Sequence, residues 1–478
     1  MSDAMLATAI PRSPWLHELP VSSAPGMRVP ARIFADDVLW ERMQQDRSIE
    51  QLLNVATLPG VEEAVYAMPD AHEGYGFPVG GVAAMRMDDG VVSPGGVGYD
   101  INCGVRLLIS ELSQNDLKGR LEPLVHDLSR SIPSGADANP HLRLSTAELD
   151  RVLQEGSRYL VERGMATPDD LEHTEAAGSL GEADPLAVSS KARERGHDQL
   201  GTIGSGNHFV EVEVVEEIYD LAAAEAFGLA LGRVGLLIHT GSRGLGHQVC
   251  TDHVRLMGGV MARYGIVLPD RQLACAPLRS PEGQHYLGAM SAAANFAWAN
   301  RQTVTAVARQ VFARVLGPTA GLRLVYDVAH NIAKLEEYGG QRLCVHRKGA
   351  TRAFGPSHRD TPRAYRGIGQ PVFIPGSMGT ASYVLAGTDA ALSASFGSAC
   401  HGAGRALSRH MAKRAVTGGE VREQLEAKGI VVRCHSNAEL AEEGPHAYKD
   451  VDRVVSVVHQ AGLARKVARL RPVGVLKG

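Results

Sequence analysis

The run Asp100-Ile101-Asn102-Cys103-Gly104 sets a carboxylate and a thiol three residues apart in a glycine-rich turn. Three later segments each place a histidine where an apolar stretch meets a polar loop: Gly204-Ser205-Gly206-Asn207-His208, Leu237-Ile238-His239-Thr240-Gly241 and Val328-Ala329-His330-Asn331. Imidazole, thiolate and carboxylate are the ligand types for Zn²⁺, Mn²⁺, Fe²⁺ or Co²⁺. Their spacing is long-range, so only a fold could gather them. Each histidine alone reads more readily as a hydrogen-bonded residue at a strand end, and Cys103 as a small buried hydrophobe. Four sites in the same Gly/Asn context bring a shared centre level with that reading, and spacing takes the argument no further.

A second constellation is Ser398-Ala399-Cys400-His401-Gly402-Ala403-Gly404-Arg405. A histidine in a glycine-rich turn, followed by Arg405 and a helix-like run over 406–413, suits an anion at a helix N-terminus. The loops Pro375-Gly376-Ser377-Met378-Gly379-Thr380 and Thr240-Gly241-Ser242-Arg243-Gly244 read as further anion cradles or as plain tight turns. None is a Walker A sequence. The segment after Ala464 carries Arg465, Lys466, Arg469, Arg471 and Lys477 without an acid. It reads either as a phosphate-binding tail or as a solvated helix end.

Positioning these groups requires a scaffold of strands and helices. Residues 1–35 read as an irregular arm or short edge strands, with 1–25 the irregular part, and 36–54 as one or two surface helices. Short apolar runs broken by Gly and Pro over 61–112 read as strands and tight turns. The stretch 131–205 is polar and weakly periodic, with a helix over 149–161 and a long loop over 177–204. Strands are expected over 209–215, 234–239 and 322–328, and a helix over 221–231. The strongest helix spans 285–316, where Val304, Val307, Val311 and Val315 recur at helical spacing before Gly317-Pro318. A helix over 420–428 precedes a strand over 430–432, and a last helix is expected over 448–470. With no repeat and no separating linker, the pattern predicts one large α+β domain, 1–478.

The chain has 478 residues, an apolar share of 44% and a net charge of −4. That apolar share is close to the roughly 45–50% of ordinary globular proteins, which excludes disorder as the main state. No stretch approaches the length of a membrane span, and no secretory signal is visible. The six cysteines form no CxxC pair, a pattern that fits reduced thiols in the cytoplasm better than disulfides. The charge gives no global drive toward nucleic acid, so any RNA contact must be local. Glycine is in excess, 53 of 478, and it gathers in short patches whose loops can approach a ligand closely.

Taken together, Met68-Pro69-Asp70-Ala71-His72-Glu73-Gly74-Tyr75-Gly76-Phe77 and the segments 100–104, 204–208, 239–244, 329–331, 375–380 and 400–405 closely resemble the RtcB family of RNA-splicing ligases. Their order matches, and the resemblance runs from about residue 25 to the C-terminus. It implies an α+β fold around a central metal-containing cleft, distinct from the ATP-dependent, lysine-based nucleotidyltransferases. It also implies a GTP- and Mn²⁺-dependent joining of RNA 3′-phosphate or 2′,3′-cyclic phosphate ends to 5′-hydroxyl ends, in tRNA splicing or RNA repair.

Residue by residue, the resemblance makes Asp100, Cys103 and His208 the ligands of one Mn²⁺ and Cys103, His239 and His330 those of a second. His401 becomes the nucleophile that carries GMP. The guanylate site would be drawn from Asn207, His208, Phe209, Val210, Glu211, His330, Asn331, Pro375, Gly376, Ser377, Met378, Ser382, His401, Gly402, Ala403, Gly404, Tyr448 and Lys477. Asp70 and Arg243 match further pocket positions. Tyr448 stacked on guanine and Lys477 at its O6 would favour GTP over ATP. The implied partners are RNA and GTP, with room for an activating protein, and no membrane. A dinuclear phosphoesterase would need the metal ligands but neither His401 nor a guanine pocket. A non-enzymatic RNA-binding module fits less well, with only 5% aromatic residues for stacking.

Overall fold

The computed structural model describes residues 9–135 and 142–478, so the first eight residues of the expected arm and six residues of the polar stretch lie outside it. The fold is α+β and rests on two large sheets. The first has seven strands in the order Ile10–Ser13, Leu16–Leu19, Ala31–Phe34, Val61–His72, Val79–Arg86, Gln341–Lys348 and Asn331–Tyr338. The second runs Arg323–Ala329, Gly104–Ser113, Arg233–Thr240, Phe209–Ile218, Ala464–Lys477, Ser382–Gly387 and Pro371–Ile374, with Val431–Cys434 parallel to the C-terminal strand. Continuous apolar stretches such as Val234, Leu236, Leu237 and Ile238 are buried on both faces, which explains their lack of alternation.

The helix Pro281–Leu316 crosses the molecule's centre. Ser280 caps it by accepting from Gly283 N, Pro281 occupies its first turn, and Gly317 ends it. It is buried nearly all round from Tyr286 to Thr305, so its apolar and polar residues alike face other protein. An apolar cluster links residues from Leu19 to Ala464 around it.

Several expectations need correction. The arm is not irregular throughout, because Ile10–Ser13 and Leu16–Leu19 pair as the edge of the first sheet. The second helix of the 36–54 region, Ser48–Val55, is largely buried rather than superficial. The loop expected over 177–204 contains the helix Ser190–Gly196, capped by Ser189. The helix Arg243–Val260 has no counterpart in the sequence reading, since Gly244, Gly246, Gly258 and Gly259 weaken its helical signal. The expected helix over 448–470 is a helix only from Val451 to Gln460. Gly462, at φ 74°, turns the chain into the strand Ala464–Lys477. The basic tail is therefore a strand within the second sheet. Arg465 pairs with Asp220 at 2.7 Å, and Arg469 and Arg471 share the single carboxylate of Glu216.

Candidate active site

The register of the second sheet gathers the candidate ligands. Gly104 pairs with Thr240 on one side and Ala329 on the other, while His239 pairs with Phe209, and Phe209 with Lys477. Cys103, His208, His239, His330 and Lys477 thus meet at one end of the sheet, where strands give way to loops. Cys103 Sγ lies 3.3 Å from His208 Nε2 and 3.2 Å from His239 Nε2. His239 Nε2 lies 3.3 Å from His330 Nε2, and His208 Nε2 lies 2.8 Å from Asp100 Oδ2. The donors form two sets, Asp100–Cys103–His208 and Cys103–His239–His330, which share the sulfur. Facing lone pairs at these distances need protons or cations between them. The mixture of one thiolate, three imidazoles and a carboxylate fits a pair of divalent cations.

Electrostatics agree with that fit. Burial, aided by neighbouring positive charge, holds His239 and His330 well below the ordinary histidine value, so both are neutral and able to ligate. Burial also pushes the Cys103 thiol well above its usual value, with Asp100 adding to the effect. A bound cation would reverse that and draw out the thiolate. For Asp100, burial opposes the charged form, but the hydrogen-bonded His208 ring outweighs it and keeps the carboxylate low.

Asp100 also explains one of the supposed anion cradles. Its Oδ1 accepts from Ser242 N at 3.0 Å, and a Cβ on Gly241 would collide with its carboxylate. The Thr240–Gly244 loop therefore holds an anion that the protein itself supplies. The 375–380 loop likewise closes on its own side chain, with Ser377 N donating to Thr380 Oγ1 at 2.7 Å. The His401 turn does not lead into a helix N-terminus either. The next helix starts at Arg409, and Ser408 already caps it.

His401 stands beside the ligand cluster, its ring centroid 4.8 Å from that of His330. The fully buried Asp70 lies behind it. Asp70 Oδ2 is 2.6 Å from His401 Nδ1 and accepts from His401 N at 3.1 Å. With Nδ1 engaged, Nε2 is the nitrogen free to act as a nucleophile. Gly404, at φ 75°, packs so closely on Asp70 that a Cβ there would overlap the Asp70 carbonyl.

One cleft joins these groups. Its walls include Asp100, Cys103, Asn207, Phe209, Glu211, His239, His330, Asn331, Pro375, Gly376, Ser377, Met378, His401, Gly402, Ala403, Gly404, Tyr448 and Lys477. Five residues singled out by resemblance do not line it directly. Val210 points to the opposite face of its strand, into the apolar core, as strand alternation requires. Ser382 donates to Glu213 at 2.7 Å in the layer beneath. Asp70 lies behind His401, and Arg243 donates to Thr202 Oγ1 at 2.9 Å and to Gly135 O at 2.7 Å. Burial pulls the Arg243 pKa down to about 10. His208 reaches the centre from behind Asp100 and Cys103.

The structure adds wall residues that the sequence reading passed over. Lys348, fully enclosed, donates to Tyr75 O at 2.6 Å and Phe77 O at 3.0 Å, and burial brings its pKa down to about 7. Glu443 accepts from Tyr448 and, at 3.1 Å, from Arg405, whose guanidinium lies 5.3 Å from the Tyr448 ring centroid. A lone lysine at a strand end and a lone glutamate after a helix give no sequence signal. Glu211 and Lys477 also line the cleft, from neighbouring strands of the second sheet. Burial raises the Glu211 pKa to about 7 against the pull of Lys477, and burial lowers that of Lys477.

Residues 51–478 match the model of a family described as "tRNA-splicing ligase RtcB". The chain is 53% identical over 468 residues to a tRNA-splicing ligase RtcB of Archaeoglobus fulgidus, covering 96% of this chain and 97% of that protein. It is 53% identical over 459 residues to the protein of the same name from Thermococcus kodakarensis, covering 95% of each. An RNA-splicing ligase RtcB of Mycobacterium tuberculosis is 54% identical over 435 residues, 90% of this chain and all of that one.

Proposed function

The chain belongs to the RtcB family, and on that premise we propose that it is an RNA ligase of tRNA splicing or RNA repair. It joins 3′-phosphate or 2′,3′-cyclic phosphate ends to 5′-hydroxyl ends with GTP as cosubstrate. The observation that carries this reading is His401, held through Nδ1 by Asp70 at 2.6 Å beside two cation-ligating sets that share Cys103. A phosphoesterase would need the ligating sets alone.

Asp100, Cys103 and His208 would hold one Mn²⁺, and Cys103, His239 and His330 the other. Bound there, the two ions supply charge neutralisation at phosphoryl oxygens. The protein's own groups do the rest. Asp70 keeps the Nδ1 proton of His401 and steadies the imidazolium that forms as Nε2 attacks the α-phosphorus of GTP. The N–P bond forms, the bond to pyrophosphate breaks, and pyrophosphate leaves. An oxygen of the RNA 3′-phosphate then takes the guanylyl group and frees His401. The 5′-hydroxyl oxygen next attacks the RNA phosphorus and expels GMP. Lys477 donates to guanine O6 and Glu211 accepts from the N–H edge, a pattern that adenine cannot match. Asn207, Phe209, Asn331, the 375–378 loop and Tyr448 enclose the nucleotide. The whole chain acts as one catalytic domain, supported by the core that links its two ends. We place its action in the cytoplasm, in keeping with six free cysteines.

Incubation with α-labelled GTP and Mn²⁺ tests the reading. Label should remain on the denatured protein, labile to acid and resistant to alkali, and should map to His401. His401→Ala should lose both label and joining of 3′-phosphate ends, yet join RNA already carrying a 3′-guanylate cap. Label on a lysine, or none at all, would overturn the mechanism.

A further inference from the structure

Arg301 lies in the middle of the helix Pro281–Leu316 and is fully buried against the end of the second sheet. All five of its N–H groups are used. Nη1 donates to Asn102 O at 2.7 Å and to Thr240 O at 2.8 Å. Nη2 donates to Asn102 Oδ1 at 3.0 Å and Asp327 Oδ1 at 2.9 Å, and Nε to Asp327 Oδ2 at 2.8 Å. These acceptors lie on three separate segments. Asn102 precedes Cys103, Thr240 follows His239, and Asp327 lies on the strand Arg323–Ala329 that leads directly into His330.

The segments are also tied to one another. His330 N donates to Cys103 O at 2.9 Å, and Asn102 N to Asn331 O at 2.7 Å. Asn102 holds φ 50°, a left-handed conformation that a non-glycine residue keeps only when its surroundings fix it. A buried ion pair gives little stability over an apolar pair of the same shape. A planar fork does something an apolar pair cannot: it fixes where its acceptors lie.

We propose that Arg301, oriented by Asp327, is a positioning residue for the metal pair, its single guanidinium setting the spacing of the backbones that carry Cys103, His239 and His330. The inference rests on the metal sites of the reading above. Arg301 touches no ligand atom and acts through the loops. Arg301→Lys keeps the charge opposite Asp327 but gathers its donors on one nitrogen, so it cannot reach both carbonyls and the carboxylate.

The test is metal binding by the full chain. Mn²⁺ affinity is measured by equilibrium dialysis, and the Cys103 thiolate is followed by its charge-transfer absorption with Co²⁺. R301K, folded by circular dichroism, should bind Mn²⁺ about 10–100-fold more weakly and show a displaced Co²⁺ band. Excess Mn²⁺ should recover part of its guanylylation. A lowered Tm with wild-type Mn²⁺ affinity and an unchanged band would overturn the proposal and leave Arg301 a stabilising residue only. Should R301K fail to fold, N102G serves in its place, because glycine accepts φ 50°; it removes the Oδ1 acceptor of Arg301 together with the donation of Asn102 Nδ2 to Ala294 O at 2.7 Å. It should weaken Mn²⁺ binding several-fold, and unchanged affinity would overturn the proposal just as well. Wild-type protein that bound neither ion would sink the metal reading itself, a separate result.

Discussion

Cys103 faces two imidazoles at once, so its loss opens both ligand sets together. Cys103→Ala should abolish guanylylation and ligation, by a factor of at least about 10³, while circular dichroism stays that of the wild type. Two Mn²⁺ retained with normal activity would disprove the bridging role. Lys477 supports a different expectation. Lys477→Ala should erode the preference for GTP over ATP in a competition assay, with transfer from a preformed adduct less affected. Unchanged selectivity would place the ammonium outside base recognition. The sequence singles out both residues, Cys103 by its donor type and Lys477 by family resemblance, and the structure brings both to one cleft. What could not be read was the company they keep. Asp70 as the partner of His401 and Lys348 in the cleft wall depend on contacts between residues hundreds of positions apart, and Glu443, only five residues from Tyr448, is brought to it by a turn that gave no signal. Val210 shows the opposite limit, where a stretch of neighbours was assigned to one site although a strand sends every second side chain elsewhere.

Elements whose local signal agreed with their surroundings were readable, and those governed by the fold were not. The long helix carried valines at helical spacing and a Gly-Pro stop, and it was expected within four residues of its true start. The C-terminal strand follows a true helix with only Ala461, Gly462 and Leu463 between them, and two irregularities in its pairing break the alternation that would mark it as a strand. The anion loops were identified as loops, but what fills them, Asp100 in one case and Thr380 in another, is a tertiary fact. The His401 turn gives this scale its prediction. Gly404 holds φ 75° with no room for a Cβ beside the Asp70 carbonyl. Gly404→Ala must strain the turn by about 1–2 kcal/mol and push Asp70 away from His401. Guanylylation should fall on the order of 10²-fold, in proportion to lost orientation of the nucleophile, while dialysis shows Mn²⁺ binding unchanged. Full activity would mean that the Asp70–His401 contact tolerates displacement.

At the scale of the whole molecule, the weakly periodic polar stretch supplies acids to cations of the core helix and the first sheet. Asp170 accepts from Arg309 at 2.6 Å, and Glu175 accepts from Lys334 Nζ at 3.0 Å and from Ala329 N, next to His330, also at 3.0 Å. Burial alone would raise the Glu175 pKa, but Lys334, Arg352 and the Ala329 amide outweigh it and hold the carboxyl at about 2. Asp170 is likewise opposed by burial, yet Arg309 brings it to about 2. Both values lie below those of an unfolded chain, so between about pH 4.5 and 2 the unfolded state binds more protons than the folded one. The stability these groups provide is complete above that window and disappears as pH falls through it. For Glu175 the amount at neutral pH is on the order of 3 kcal/mol. Glu175→Gln should therefore lower stability at pH 7, because Lys334 is left buried without its counter-charge. It should also flatten the loss of stability between pH 4.5 and 2 relative to wild type. Urea unfolding followed by circular dichroism at half-unit pH steps reads both effects. Parallel curves for the two proteins across that window would remove Glu175 as a source of acid sensitivity, even if the variant were weaker at every pH.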